Sequence, residues 1–156
     1  MLHGATPSPF DALNALRGLR TLAVRTNQQS ASAQALAEAL SEHPAVAAVH
    51  YPGLATHPQF DLAKRQMRNG GTVLAVDLAG ARDAATSFLS RVRLARVATS
   101  LGGPETLVCH SATSTHVSLA PEDQAAIGIT DGLLRISVGL EDPDDIVADF
   151  EQAIPR

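Results

Sequence analysis

Strand-like and helix-like segments occur in a mixed order along this chain, and this mixture most limits the folds that the chain can adopt. Leu74, Val76 and Leu78 recur at every second residue, which is the spacing of a strand with one buried face. Residues 10–22 repeat their leucines at intervals close to helical spacing. The segments follow no regular strand–helix–strand rhythm and carry no phosphate-loop glycine motif. We therefore predict an α+β fold, a small, mainly antiparallel sheet with helices packed on one face.

The same patterns predict the order of the elements. Helices are expected over residues 10–22, 31–40, 60–67, 81–89, 122–126 and 144–154, and strands over 46–51, 73–78, 93–98, 106–109 and 133–138. The polar residues 26–30 interrupt the first apolar stripe, where the helical region is expected to bend. We interpret residues 1–156 as a single domain, in which a helical connector over about 8–40 leads into an α+β sandwich over about 45–156.

Composition narrows the classes of function. The chain has 16 acidic and 12 basic residues and a formal net charge of −4, which provides no basic surface for nucleic acid. No apolar run approaches the roughly 20 residues that cross a bilayer, so no membrane segment is expected. Residues 1–10 lack the pattern of a secretory signal, and the single cysteine, Cys109, has no partner for an internal disulfide. These features are typical of a cytoplasmic protein.

An arginine in the middle of the last predicted strand is the most informative local feature. Within residues 132–139, Leu134 and Ile136 face one side of the strand, and Arg135 and Ser137 face the other. A half-buried guanidinium needs an anionic partner, because an unpaired buried charge is very costly. Its planar fork suits a carboxylate held by two hydrogen bonds. The spacing leaves two interpretations open, an internal salt bridge with one of the 16 acidic residues or a bound anion.

Other candidate groups are weaker. Ser100 is followed by Gly102 and Gly103, which permit a tight turn or a close approach to a ligand. The spacing of Cys109, His110 and His116 does not match a structural zinc site, and we interpret Cys109 as a small core residue. The only lysine, Lys64, lies in a polar helical segment beside two arginines and is predicted to be a surface residue.

Five segments occur in an order that is typical of one enzyme family. They are residues 9–22, 49–54, 100–107, 115–116 and 132–142. Together they resemble the C-terminal part of the pyridoxal-phosphate-dependent enzymes of cysteine and methionine metabolism. This family includes cystathionine γ-synthase, cystathionine γ-lyase, methionine γ-lyase and O-acetylhomoserine sulfhydrylase. The resemblance implies the C-terminal small domain of a fold-type-I pyridoxal-phosphate enzyme, which catalyses γ-elimination or γ-replacement on sulfur-containing or O-acylated amino acids.

The resemblance also implies roles for individual residues. Arg135 is expected to bind the α-carboxylate of an amino-acid substrate, at a concave surface beside Ser100 and without an acidic partner in this chain. Ser100 is expected at the edge of the active site. Thr99 precedes it, in the place of the glutamate that is common in cystathionine γ-lyases and γ-synthases. This difference leaves methionine γ-lyase-like and sulfhydrylase-like chemistry open.

The family pattern places the cofactor elsewhere. Pyridoxal phosphate is expected on a larger N-terminal domain that carries the imine lysine, and the intact enzyme is expected to be a homo-oligomer, a tetramer. On this chain we therefore expect no catalytic residue and no cofactor or metal site, and the chain alone is predicted to be inactive. Two alternatives remain, a free-standing amino-acid-binding or regulatory module and the small domain of an aminotransferase. The Ser100 and Thr115-His116 segments argue against the latter.

Overall fold

A five-stranded sheet forms the centre of the structure, a computed structural model that describes residues 6–155. Its strands are β1 (Val46–His50), β2 (Val73–Leu78), β3 (Arg96–Val97), β4 (Leu107–His110) and β5 (Leu133–Ser137). Their order in the sheet is β1-β2-β5-β4-β3. Every neighbouring pair is antiparallel except β3 and β4, which are parallel. The prediction of a mainly antiparallel sheet is confirmed.

Six helices accompany the sheet. They are α1 (Pro9–Arg20), α2 (Leu22–Ser41), α3 (Phe60–Gln66), α4 (Ala81–Arg91), α5 (Pro121–Ala126) and α6 (Pro143–Ala153). Helices α2 and α4 pack on one face of the sheet, and α6 packs against both of them, so the helical layer lies where it is predicted. Within residues 6–155, no helix combines the length and the apolar character that a membrane span requires.

The core lies between this helical layer and the sheet. Leu134 and Ile136 of β5 are at most 1% exposed and belong to the main apolar cluster. From the helices, the rings of Phe88 and Phe150 meet with their centroids 5.1 Å apart. Fully burying a leucine, isoleucine or phenylalanine side chain stabilises the fold by about 1.5–3 kcal/mol. Aromatic residues make up only 3% of the chain, so buried alanines fill much of the space between helices and let them approach closely.

Helix α1 begins where its sequence predicts. Ser8 accepts a hydrogen bond from the Asp11 N–H at 3.2 Å, while the Asp11 carboxylate accepts one from the Ser8 N–H at 3.3 Å. This reciprocal capping box satisfies backbone donors that the first helical turn leaves free. Pro9 occupies the first helical position, where its missing N–H costs nothing.

The leucines of α1 and the first residue of α2 are exposed to solvent. Leu13, Leu16 and Leu19 of α1 and Leu22 of α2 are between 44% and 64% exposed, and Phe10 is 79% exposed. No residue of α1 is buried, as expected for a helix whose apolar side chains have no partner within residues 6–155. We call these five side chains the α1 apolar surface. Several large exposed apolar side chains on one short segment usually mark a contact with another domain or protein.

The bend in the first helical region lies earlier than predicted. The chain turns at Thr21, which separates α1 from α2, whereas residues 26–30 continue as regular helix. Gln29 and Ser30 are buried, and the Ser30 hydroxyl donates to the Gly71 carbonyl at 2.8 Å. Polar residues in this segment therefore do not break the helix, because they bond to neighbouring loops instead.

Strand β3 is shorter than the predicted strand over residues 93–98. The N–H groups of Arg93, Leu94 and Ala95 donate to the carboxylate of Asp149, at 2.9, 2.9 and 3.1 Å. Because these donors bond to a side chain of α6, they are not available to a neighbouring strand. Only Arg96–Val97 pairs with β4.

Tyr51 is buried beside the start of β2. Its hydroxyl donates to the carbonyls of Gly71, at 2.9 Å, and Ser30, at 3.2 Å. A β-carbon on Gly70 would lie 2.5 Å from the tyrosine ring, so the backbone can approach this closely only at glycine. Burial raises the pKa of Tyr51 above its ordinary value of 10.0, and the negative charge of Glu38 acts in the same direction.

We expect the phenol of Tyr51 to ionise at higher pH in the folded chain than in the unfolded chain. The raised pKa means that the folded state favours the neutral phenol. Its contribution to stability is complete below pH 10.0 and is lost as the pH rises through the folded-state pKa. Tyr51 is the only tyrosine and the chain has no tryptophan, so near-ultraviolet phenolate absorbance reports this one group. Equal midpoints with and without urea would contradict the prediction, and Tyr51→Phe should abolish the signal.

We expect Asp149→Ala to destabilise the fold by about 2–4 kcal/mol, because it leaves three backbone donors without a charged acceptor. The measurement is urea unfolding followed by circular dichroism. Glu151→Ala is the matched control, since Glu151 is an exposed carboxylate of the same helix and should change stability by less than about 0.5 kcal/mol. Similar effects of the two variants would show that the Asp149 bonds contribute little.

Candidate functional site

Arg135 lies at the middle of β5 on the face of the sheet that α2, α4 and α6 do not cover. Its neighbours Leu134 and Ile136 are packed in the core on the opposite face. Directly across the sheet stand Ala75 of β2 and Cys109 of β4. Both neighbouring side chains are small, so the arginine stem and guanidinium have room above the strands. The arginine is half-buried.

The guanidinium of Arg135 is held by main-chain oxygens. Its Nη2 donates to the Thr99 carbonyl at 2.6 Å and to the Ser100 carbonyl at 2.8 Å. Within residues 6–155, no carboxylate oxygen lies within 4.0 Å of it. The only ion pair found in this part of the chain joins Arg82 to Asp131 at 2.6 Å. The interpretation of Arg135 as one half of an internal salt bridge is therefore wrong.

The remaining donors of Arg135 define what it can bind. A guanidinium has five N–H groups, and the two on Nη2 are engaged by Thr99 and Ser100. The Nε atom is buried and has no hydrogen-bond partner within residues 6–155. Carbonyl dipoles orient the positive charge but do not neutralise it. An anion with acceptor oxygens, such as a carboxylate, would satisfy both the charge and the unpaired donor.

Thr99 and Ser100 contact Arg135 through their backbone. Both residues are exposed, and the structure gives neither side chain a hydrogen bond within residues 6–155. The orientation of the guanidinium therefore does not depend on which side chains stand at these two positions. Their predicted roles in substrate binding remain predictions.

The turn after Ser100 is anchored by two buried side chains. The Gly102 N–H donates to the Ser137 hydroxyl oxygen at 2.9 Å. The Gly103 carbonyl accepts from Nε2 of Gln29 at 2.8 Å. Gly102 has φ +79°, a left-handed conformation that favours glycine. The turn therefore has the tight geometry that its glycines predict, and side chains from α2 and β5 hold it.

Ser137 lies on the predicted face of β5 but is buried rather than exposed. The strand alternation places it on the same face as Arg135, where a substrate would lie, but its side chain is 0% exposed. The Gly102 turn folds over it and uses its hydroxyl as an acceptor. Sequence analysis also missed Gln29, for which the only signal was a polar residue within the helical stripe.

The structure also locates the other groups that the sequence offered as candidates. Cys109 is buried with a free thiol, as predicted for a core residue. His110 is buried, and its ring nitrogens lie 2.9 Å from the Thr113 hydroxyl and the Asp131 carbonyl. No group of three histidine, cysteine or acidic residues in the described range could hold a metal ion. The amine of the exposed Lys64 stands 5.4 Å from the centroid of the half-buried Phe60 ring.

Two cavities of the described residues lie away from Arg135. One of about 500 Å³ is bounded by α2, α3 and the loops beside Tyr51, and another of about 410 Å³ lies next to Ala84 and Ile154. Arg135 and Ser100 line neither of them. The expected concave surface beside Ser100 is therefore not one of these two cavities.

Comparison with known proteins assigns the fold and the site to a class. Residues 1–155 match the family model for Cys/Met metabolism PLP-dependent enzymes, so the chain belongs to this family. It is 48% identical over 155 residues to an O-succinylhomoserine sulfhydrylase of Mycobacterium tuberculosis, a match that covers 97% of this chain and 38% of the relative. It is 44% identical to an L-methionine gamma-lyase of Treponema denticola, and this match covers 99% of this chain and 39% of the relative.

Solved structures agree with this assignment. A cystathionine gamma synthase of Xanthomonas oryzae superposes with a TM-score of 0.90 at 44% identity, and the match covers 96% of this chain and 39% of that one. The predicted family and α+β fold are confirmed. The aminotransferase alternative is wrong. The chain spans less than two fifths of the length of the relatives named here.

The single lysine of the chain is not placed beside Arg135, where an imine with pyridoxal phosphate would be needed. A pyridoxal-phosphate enzyme needs a lysine amine that forms an imine with the cofactor. The only lysine, Lys64, is exposed on α3 and stands over Phe60, and it makes no contact with Arg135. Arg135 provides a guanidinium without an acidic partner within residues 6–155, but no lysine amine stands beside it, and we derive no chemical step through the cofactor from these residues.

Proposed function

We propose that this chain is the C-terminal, substrate-side domain of a longer pyridoxal-phosphate-dependent enzyme that performs γ-elimination or γ-replacement on amino acids. Arg135 binds the α-carboxylate of the substrate in this proposal. The observation that carries it is the half-buried guanidinium, which has no acidic partner within residues 6–155 and an unpaired, buried Nε. The family of the chain supports the reaction class.

In the proposed enzyme, the chain binds and orients the substrate. The Thr99 and Ser100 carbonyls hold Nη2 of Arg135, and the free N–H groups of the guanidinium bond to the carboxylate. A charged hydrogen bond from this held guanidinium fixes the position of the carboxylate of the bound amino acid. Fixing the Cα end of the substrate in this way determines which of its bonds faces the reacting groups.

The substrate is a sulfur-containing or O-acylated amino acid, with methionine, cystathionine and O-acyl-homoserine as candidates. The relatives include enzymes named for sulfhydrylase, methionine gamma-lyase and cystathionine gamma-lyase activities, at 41–48% identity to this chain. These close values do not rank the three activities. Thr99, in place of a glutamate, favours the sulfhydrylase and methionine γ-lyase chemistries in our proposal.

The rest of the proposed enzyme supplies the cofactor and covers the α1 apolar surface. Pyridoxal phosphate and its imine lysine belong to a larger N-terminal domain, and the complete protein is a cytoplasmic homo-tetramer in this proposal. The exposed Leu13, Leu16 and Leu19 support an interdomain contact along α1, because burying them would stabilise it. A reading frame that continues upstream with a cofactor lysine would favour the enzyme over a free-standing amino-acid-binding module.

We expect Arg135→Ala in the longer enzyme to lower kcat/KM for amino-acid substrates by roughly 30-fold to several thousand-fold. Losing a charged contact to a desolvated carboxylate costs about 2–5 kcal/mol. The visible spectrum of the bound cofactor should be unchanged, since Arg135 contacts the substrate and not the cofactor in this proposal. Arg135→Lys should restore little activity, because an ammonium cannot reproduce the planar fork.

Arg96→Ala is the matched control for this experiment. Arg96 is an exposed arginine of β3, and its removal changes the net charge of the chain by the same amount. Assays on methionine, cystathionine and O-acetylhomoserine with sulfide measure the effect and identify the substrate. Equal activities of Arg135→Ala and Arg96→Ala would rule out the proposed role of Arg135.

We expect the 156-residue chain alone to form no stoichiometric adduct with pyridoxal phosphate and to turn over no amino acid. The reason is that Lys64 stands exposed over Phe60 and lacks contact with the carboxylate-binding arginine. Borohydride reduction followed by mass spectrometry measures the adduct, with Lys64→Arg as the control for nonspecific labelling. A trapped adduct on Lys64 together with lyase activity would overturn the proposal that the cofactor belongs to another domain.

A further inference from the structure

Gln29 lies in the first half of α2, but its side chain bonds to both loops that flank the arginine site. The side chain is only 3% exposed. Its Nε2 donates to the Gly103 carbonyl at 2.8 Å and to the Val138 carbonyl at 2.9 Å. A single amide thus joins three parts of the chain, namely α2, the turn after Ser100 and the residue that follows β5.

Ser137 holds the same turn from the opposite side. Its hydroxyl oxygen accepts from the Gly102 N–H at 2.9 Å, and the side chain is fully buried. Gln29 therefore fixes the turn to a helix, and Ser137 fixes it to the strand that carries Arg135. Each of these two bonds engages one of two successive residues, Gly102 and Gly103, so neither anchor alone determines the position of the turn.

The position of this turn determines the orientation of Arg135. Thr99 and Ser100 immediately precede it, and their carbonyls accept both hydrogen bonds from Nη2. Successive α-carbons are only about 3.8 Å apart, so a displacement of the turn is transmitted to these carbonyls. If they moved, the long arginine side chain would regain rotamers that the two bonds now exclude.

We propose that Gln29 is a positioning residue of the arginine site. It holds the turn after Ser100 where the Thr99 and Ser100 carbonyls orient the guanidinium toward a carboxylate. The inference rests on the proposed function of Arg135 and adds a link between α2 and substrate binding. Gln29 itself touches no substrate, and its effect on the reaction passes through the turn.

A purely structural role for Gln29 makes a different prediction. Two buried carbonyls would lose their donor on substitution, and this loss alone would lower the stability of the whole fold. The hydrogen bonds of Arg135 would then be unchanged in the folded protein. Its preference for a carboxylate over an uncharged carboxamide would be unchanged as well. The test must therefore report on the site and on stability separately.

The first experiment uses this chain and the substitution Gln29→Met, which keeps the length of the side chain and removes its donors. Gln28→Met is the matched control, because Gln28 is the adjacent residue and is exposed. Hydrogen exchange by NMR should become about ten- to a hundredfold faster at the Gly102 N–H and the Arg135 Nε–H. Exchange at the Ile136 N–H, in the centre of the sheet, should stay the same.

The second experiment uses the longer enzyme at a temperature where circular dichroism shows every variant to be folded. Gln29→Met should raise KM for the amino-acid substrate by about ten- to a hundredfold and change kcat little. The preference for the substrate over its α-carboxamide should fall by the same factor, since the amide lacks the anion that Arg135 binds. Ser137→Ala should give the same pattern. The rise in KM of the double variant should be smaller than the product of the two single-variant rises, because both side chains anchor one turn.

The outcomes separate this inference from the proposed function. If Gln29→Met lowers the unfolding midpoint but matches Gln28→Met in exchange and in carboxylate preference, the positioning role is wrong. If Arg135→Ala leaves kcat/KM unchanged, the proposed function is wrong, and exchange at Gly102 still decides whether Gln29 anchors the turn. If Gln29→Met does not fold, Ser137→Ala decides the question by the same measurements.

Discussion

The packing of Leu134 and Ile136 against the helices is the constraint on which the rest of the structure depends. These side chains are at most 1% exposed and hold β5 at the centre of the sheet. Because side chains alternate along a strand, the same packing turns Arg135 to the uncovered face. A register shift of one residue would place the guanidinium in the apolar core, which its charge forbids. The core therefore determines on which face of the sheet the guanidinium of Arg135 lies.

Buried and half-buried polar side chains hold the loops in place through hydrogen bonds, whereas the apolar core holds the strands. Asp149 holds the segment before β3, and Glu141 accepts from both the N–H and the hydroxyl of Thr106, each at 2.7 Å. Gln29 and Ser137 hold the turn between these two points. Each acceptor or donor satisfies backbone groups that irregular segments cannot pair among themselves. The backbone around Arg135 is consequently fixed on several sides, although it contains little regular structure.

The α1 apolar surface and the open face of Arg135 have a common explanation in our proposal. Helix α1 has no buried residue, and Arg135 has an unpaired Nε, so residues 6–155 leave both an apolar and a charged group unsatisfied. The chain spans less than two fifths of the relatives named above, whose remaining length is available to cover such groups. A domain that buried the α1 leucines and enclosed the sheet face around Arg135 would satisfy the two together, because apolar burial stabilises the contact and enclosure strengthens the charge interaction.

The sequence by itself determined the fold class, the order of the elements and the face of β5 to which Arg135 belongs. These follow from local hydrophobic periodicity and from capping residues such as Ser8, which depend on neighbours in the chain. Three features came only from the tertiary structure: the short β3, the burial of Ser137 and the anchoring of the turn by Gln29. Each depends on a hydrogen bond between residues at least 35 positions apart, such as Gln29 and Gly103 at 74 positions. Hydrophobic periodicity cannot predict such pairs. It assigns a polar side chain in a helix to the solvent-exposed face, because the partner that buries the side chain is distant in sequence.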